Sequence, residues 1–335
     1  MAAKTGVLLL NIGSPRSYEV PDVKKYLKHF LMDKEVINLP FILRWPLVNL
    51  LIVPKRGPIS AGNYKKIWLE NGSPLTVYTV DFAEKLQKDL GENYLVKVGM
   101  RYSNPDIPTA LKEFAAAGVQ NVLLSPMYPQ YADATTGSSL REVQRQIKKL
   151  NLKFNVKSIR DFYQHPSFVD PTVEIAKEYL QGKEVGHYLF SFHGLPESHV
   201  KVNAGCLATP DCCVKPSACD KPCYRAQCLA TATSVAQKLG LSKDQWSLSY
   251  QSRLGRDEWL KPSTEETIAK LGDKKSIAVL CPSFVADCIE TLEEIGIGGE
   301  ETFHHAGGKD YHLVPCVNVN TKWVNQFARL IESQA

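Results

Sequence analysis

Eight short, nearly unbroken apolar runs, separated by longer stretches of helical period, constrain this chain more than any other feature. The runs are Gly6–Gly13, Val96–Tyr102, Asn121–Tyr128, Phe154–Ile159, Tyr188–Gly194, Trp246–Ser252, Ser276–Pro282 and Tyr311–Cys316. Helical patterns fall near Val20–Leu31, Ile107–Ala117, Ser138–Leu150, Pro166–Leu180, Arg225–Leu239, Ser263–Leu271, Ala286–Glu294 and Asn320–Ile331. A strand covered on both faces reads as a continuous apolar run, and parallel neighbours need a crossover of helical length between them. The expected fold is therefore α/β, with two doubly wound units built on parallel sheets. A chain of 335 residues exceeds one ordinary core. A break near 150–170 predicts an N-terminal domain over 1–160 and a C-terminal domain over 161–318. A last helix over 319–335 is expected to pack back on the first domain.

Charge narrows the partners little. Forty Lys and Arg against 35 Asp and Glu leave +5, with no dense basic tract, so nucleic acid is not an expected partner. The N-terminal apolar stretch is too short for a signal peptide and reads as a buried strand, which predicts a cytoplasmic protein. No window offers the roughly 20 uninterrupted apolar residues of a membrane span. The nearest is Leu39–Pro54, LPFILRWPLVNLLIVP, interrupted by Arg44, Pro46 and Asn49. It reads either as a core helix with a proline kink or as an apolar lip. In the second reading Trp45 sits at headgroup depth with Lys55 and Arg56 behind it, and the contact is a peripheral membrane or an apolar ligand. No heptad or self-complementary patch sets an oligomeric state.

Parallel sheets of this kind place ligands at the carboxyl ends of their strands. The residues there are Asn11, Arg101, Tyr102, Tyr128, Tyr131, His193, Gln251 to Arg253 and those from Pro282 onward. Neither GxGxxG nor GxxxxGK[ST] follows the first strand, so a phosphate cradle is lacking. Gly296, Gly298 and Gly299 are expected in a turn. His193 ends a strand before Gly194-Leu195-Pro196, where neutral imidazole can take a proton or hold a divalent metal. On an α-helix, Asp287, Glu290 and Glu294 would share one face within about 60°, a row suited to passing a hard cation or protons. Six of the nine cysteines lie between Cys206 and Cys228, spaced C-x5-C-C-x5-C-x3-C-x4-C. Without a secretion signal that density favours thiolate metal ligation, an iron–sulfur cluster ahead of structural zinc or spare thiols.

The stretches LLLNIGSP, MRYSNP, YPQYADATTGSS, SFHGLP, QSRLGRDEWLKP and SFVADCIETLEEI, in that order, resemble the ferrochelatases, which insert ferrous iron into a porphyrin. The resemblance runs through almost the whole chain. It implies two Rossmann-like chelatase domains related by a pseudo-twofold, with the porphyrin cleft between them. By position, His193 and Glu290 resemble the family's catalytic, iron-handling pair, and Asp287 and Glu294 its acidic relay. Arg101, Tyr102, Tyr131 and Trp259 resemble residues lining the macrocycle, and Arg56 and Ser73 those contacting its propionates. Asn11-Ile12 departs from members that carry a tyrosine there and use coproporphyrin, so protoporphyrin IX is the expected substrate together with ferrous iron.

The cysteine-rich segment resembles that of bacterial members with an internal [2Fe-2S] cluster. Cys206, Cys212, Cys213 and Cys223 are the first choices as ligands, with Cys219 and Cys228 as alternates. Cys228 also reads as a buried core thiol, and Cys288 stands where some members carry a histidine. Two alternatives remain at this level. One is a chelatase for another tetrapyrrole or metal, such as coproporphyrin III or cobalt or nickel. The other is a porphyrin- or haem-binding protein without catalysis.

Overall fold

The structure, a computed structural model, describes residues 4–201, 206–207, 212, 223–253 and 257–335. Its described strands are β1 Thr5–Asn11, β2 Tyr94–Met100, β3 Asn121–Pro126, β4 Asn155–Ser158, β5 His187–His193, β6 Trp246–Gln251, β7 Ser276–Leu280 and β8 Asp310–Leu313. They form two four-stranded sheets, ordered β2-β1-β3-β4 and β6-β5-β7-β8, and every pairing is parallel. The α/β class expected from the alternation is the observed one.

The two compact units are not contiguous in sequence. One holds the chain up to Met127, Ala132–Arg160 and Phe327–Ala335; the other holds Tyr128–Tyr131 and Asp161–Gln326. The last helix, Thr321–Gln334, thus begins in the second unit and ends in the first.

In the first unit Val7, Leu8, Leu9 and Leu10 are wholly buried, because β1 is an inner strand with helices on both faces. Leu8 and Leu10 pack with Ile107, Leu111, Phe114 and Val143. In the second unit Leu189 of β5 and Ile277 and Val279 of β7 pack with Ile268, Ile295 and Phe303. Of the edge strands, β4 and β8 have four residues each, short enough to limit pairing with other chains.

Three local structures differ from the sequence reading. The helix Pro74–Leu90 was not anticipated, although Leu75, Thr79, Phe82, Leu86 and Leu90 recur at helical spacing and are all buried. Gly91, at φ 69°, ends that helix in a conformation that favours glycine.

The stretch Leu39–Pro54 is not a core helix. It runs as the helix Phe41–Pro46, the π-helix Leu47–Ile52 and the start of the helix Val53–Ile67. Arg44 is folded under it, donating to the carbonyls of Ile37 and Leu39 at 3.1 Å. Phe41, Ile42, Leu43, Leu50 and Leu51 are each more than half exposed.

The third difference lies after β7. Gly296 and Gly298 are inside a π-helix, Glu290–Gly298, and Gly299 opens the helix Gly299–His305. No turn is made there. A Cβ on Gly299 would lie 2.4 Å from the Tyr311 hydroxyl, so glycine lets the helix close on β8.

Candidate active site

His193 is the last residue of β5, and the backbone around it is fixed by its neighbours. Its N–H donates to Ser283 Oγ at 3.0 Å, and its carbonyl accepts from the Tyr224 hydroxyl at 2.7 Å. Burial pushes the Tyr224 phenol well above its ordinary range, which keeps it a neutral donor. The imidazole Nδ1 lies 2.7 Å from the Gly194 carbonyl oxygen. A carbonyl only accepts, so Nδ1 is the donor, and in the neutral ring the lone pair is then on Nε2.

Gly194 has no room for a side chain: a Cβ would lie 2.7 Å from the Gln251 carbonyl and 3.1 Å from the Trp259 ring. The indole of Trp259 therefore lies beside the residue that anchors the imidazole. A backbone bridge between Pro196 and Trp259 holds it there.

Gln251, the buried end of β6, ties the strands to the acidic segment. Its Oε1 accepts from Ser191 Oγ at 2.6 Å, and its Nε2 donates to the Glu290 carbonyl at 2.9 Å. Four residues on, both Glu294 oxygens are occupied by one residue. Ser252 N–H reaches Oε1 at 2.7 Å and Ser252 Oγ reaches Oε2 at 2.5 Å. Burial pushes the Glu294 carboxyl above its ordinary value, and the Glu290 charge adds to the push. The Ser252 hydroxyl and His193 oppose it in part. Glu294 thus lies within electrostatic reach of both His193 and Glu290.

The helical row expected of Asp287, Glu290 and Glu294 is not what forms. Asp287 precedes the helix, and Glu290–Gly298 is wound as a π-helix, so the spacing of an α-helix does not apply. Asp287 is buried and satisfied: Asn318 Nδ2 donates to Oδ2 at 2.7 Å and Thr291 Oγ1 to Oδ1 at 3.0 Å. Asn318 Oδ1 accepts in return from the Asp287 N–H at 2.8 Å. This carboxylate pins the segment rather than lining it up with the other two. The thiols of Cys281, Cys288 and Cys316 are buried nearby, and burial pushes each well above the ordinary thiol range.

Three of the four candidates in the first unit are engaged with other residues of that unit. The Arg101 guanidinium meets Asp33 Oδ2 at 2.6 Å and Glu142 Oε2 at 3.5 Å. The Tyr102 hydroxyl donates to the same Asp33 oxygen at 2.9 Å, and its ring is buried. Ser73, also buried, donates to Ser14 Oγ at 2.8 Å. Arg56 is exposed on the helix Val53–Ile67. In the second unit the Tyr131 N–H donates to Gln227 Oε1 at 2.6 Å.

The sequence reading missed Tyr224 and Asn318, and it gave Ser283, within the stretch from Pro282 onward, no role of its own. A polar residue following a strand was the available sign for Ser283. Tyr224 and Asn318 are distant from the residues they hold, and no local pattern marks them.

The family profile of the ferrochelatases matches residues 4–335. The chain belongs to the ferrochelatase family. A ferrochelatase of Bdellovibrio bacteriovorus is 60% identical over 333 residues, covering 98% of this chain and 99% of the relative. One from Pseudomonas putida KT2440 is 44% identical over 338 residues, covering 97% and 98%. As a ferrochelatase the protein is a metal-insertion enzyme, with iron as substrate.

Solved structures give the same fold at much lower identity. SirB from Bacillus subtilis with Fe3+ aligns at TM-score 0.55 and 10% identity, covering 99% of this chain and 96% of that one. The sirohydrochlorin chelatase SirB of Bacillus subtilis subspecies spizizenii with cobalt aligns at 0.56 and 8%, covering 99% and 95%. At such identity the likeness is of fold alone.

For a resident cluster, the described cysteines of this ferrochelatase divide. Cys228 is fully buried in the helix Tyr224–Leu239, and burial pushes its thiol well up. Cys212 Sγ accepts from Arg225 Nη1 at 3.3 Å. Cys213 and Cys219 lie outside the described residues. Among the described residues no three His, Cys, Asp or Glu side chains converge to hold a metal ion. The four-thiolate set is therefore not assembled from the described residues alone. No helix among the described residues is long and apolar enough to cross a membrane.

Proposed function

We propose that the protein inserts ferrous iron into protoporphyrin IX at His193, with Glu290 as its partner, giving protohaem and two protons. The single observation carrying this is the state of His193. Its Nδ1–H is spent on the Gly194 carbonyl, which leaves Nε2 as the nitrogen available to substrate, and the ring lies within electrostatic reach of the Glu294 carboxylate. A free-base porphyrin must lose two pyrrole protons as iron enters. His193 Nε2 accepts a pyrrole proton, and Glu290 stabilises the imidazolium that results. Glu294, its carboxyl pushed up by burial, takes protons onward more readily than an exposed glutamate.

Of the macrocycle-facing set, Trp259 is best supported, since its ring lies against Gly194. Arg56 is an exposed cation available to a propionate. Tyr131 is half-buried, its N–H tied to Gln227. Arg101, Tyr102 and Ser73 have polar atoms engaged within the first unit, so they serve as wall rather than as donors.

Anaerobic incubation with protoporphyrin IX and ferrous iron, read as a pyridine haemochrome spectrum, tests the proposal. Protohaem is the expected product. Porphyrin binding without haemochrome would make the protein a carrier. Faster turnover of coproporphyrin III, or of cobalt or nickel, would reassign the substrate.

Two finer readings go with this one. The cysteine window supports a [2Fe-2S] cluster on Cys206, Cys212, Cys213 and Cys223, with Cys219 as alternate. Anaerobically purified protein is then expected to carry acid-labile sulfide and visible charge-transfer bands. The exposed Phe41, Ile42, Leu43, Leu50 and Leu51 support peripheral contact with a lipid surface. Flotation with vesicles containing acidic phospholipid is expected for the native chain and not for Ile42→Asp with Leu50→Asp.

A further inference from the structure

Ser252 directly follows β6 and has φ 67°, in the left-handed region that non-glycine residues disfavour. Rotation about N–Cα sets where a side chain lies relative to the residue's own N–H. Here it brings both donors onto one carboxylate: N–H to Glu294 Oε1 at 2.7 Å and Oγ to Oε2 at 2.5 Å. Two contacts fix the plane of the carboxylate as well as its position, which a single contact does not. The strand itself is held firmly, since its preceding residue Gln251 is buried and bonded to Ser191 and to the Glu290 carbonyl. A carboxylate beside Glu290 would otherwise turn away from that like charge.

We propose that Ser252 is a positioning residue whose strained backbone serves a two-point clamp, holding the Glu294 carboxylate in register with His193 and Glu290 for iron insertion. The proposal rests on the reading of these three residues as the insertion site. The clamp acts on the group that handles iron and protons, not on the macrocycle, so its loss belongs in kcat rather than in the porphyrin KM.

Glycine and threonine at this position separate clamp from fold. Ser252→Gly removes the hydroxyl and relieves the backbone. Its melting temperature is expected at or above the native value, while kcat falls roughly tenfold or more and the porphyrin KM stays within about twofold. Ser252→Thr keeps the hydroxyl on a backbone less suited to a β-branched residue. It is expected to melt lower yet regain most of the kcat that glycine loses. On a Glu294→Gln background, Ser252→Gly is expected to cost little more, because both changes remove one interaction. Native kcat in Ser252→Gly would overturn the proposal. So would losses in both variants that follow melting temperature, or a full additional loss on the Glu294→Gln background. Native protein that makes no protohaem instead overturns the iron-insertion reading, and the clamp's role with it.

Discussion

The two sheets share a strand order and a parallel register, and in each the segment after the third strand passes through a π-helical turn, Asp133–Gly137 in one and Glu290–Gly298 in the other. They differ in what is done with acidic residues. In the first unit Asp33 and Glu142 are matched by Arg101, and Glu142 also by Arg145 at 2.6 Å. In the second, among the described residues, no Lys or Arg pairs with Glu290 or Glu294. A common frame thus carries charge that supports folding in one unit and charge that opposes it in the other. The set without a Lys or Arg partner belongs to the unit that holds His193.

The sharpest way to break this contrast is His193→Ala. Iron insertion is expected to fall at least about a thousandfold, with porphyrin binding by fluorescence largely kept. Native turnover by that variant would remove the second unit's claim to the chemistry. Glu290→Gln is expected to lower kcat by about a hundredfold, read in the same haemochrome assay.

The first unit should answer in stability instead. Asp33→Asn leaves Arg101 short of its main partner in a setting where both side chains are about one-eighth exposed, 12% and 13%. A loss of about 3 kcal/mol in denaturant unfolding is expected, with kcat of the folded protein little changed.

The smallest effects have opposite signs. Burial raises the Glu294 carboxyl above its ordinary 4.5, so its charge opposes folding at neutral pH, and that cost vanishes as pH falls toward 4.5. Glu294→Gln is therefore expected to melt higher than native protein at pH 7, the gain fading on acidification. For Glu142 burial also pushes upward, but hydrogen bonds from Arg145 and Gln146 and the Arg101 charge outweigh it and hold the carboxyl low. Its charge supports folding above the ordinary value, and that support is lost as pH falls through the lowered one. Glu142→Gln is expected to melt lower at pH 7, the deficit fading on acidification. Melting curves of both variants, taken from pH 7 down to below the lowered Glu142 value, check the pair; shifts of equal sign at pH 7 would erase the contrast.

Much of the fold was legible because buried parallel strands advertise themselves. The run through Val7 to Leu10 needs cover on both faces, and the helices between runs supply it. The helix Pro74–Leu90 was equally legible, with its apolar residues at helical spacing, and was overlooked among longer-range patterns. At the site, His193 could be placed at a strand end from its context. The partners that fix its tautomer and backbone, Gly194 excepted, are 31 and 90 residues away in Tyr224 and Ser283, where no local pattern reports them.

The order of apolar runs and helical stretches, with six motifs in sequence, was enough for the α/β class and for the family, since both depend on which residues occur and in what order. The fate of each charge was not. A regular α-helix would set Asp287, Glu290 and Glu294 side by side. Packing against β8, eased by glycines at 296 and 299, and the pairing of Asp287 with Asn318 separated the first from the other two. Whether a carboxylate is pinned, paired or left exposed to another charge depends on atoms brought near by folding, and sequence spacing does not carry that distance.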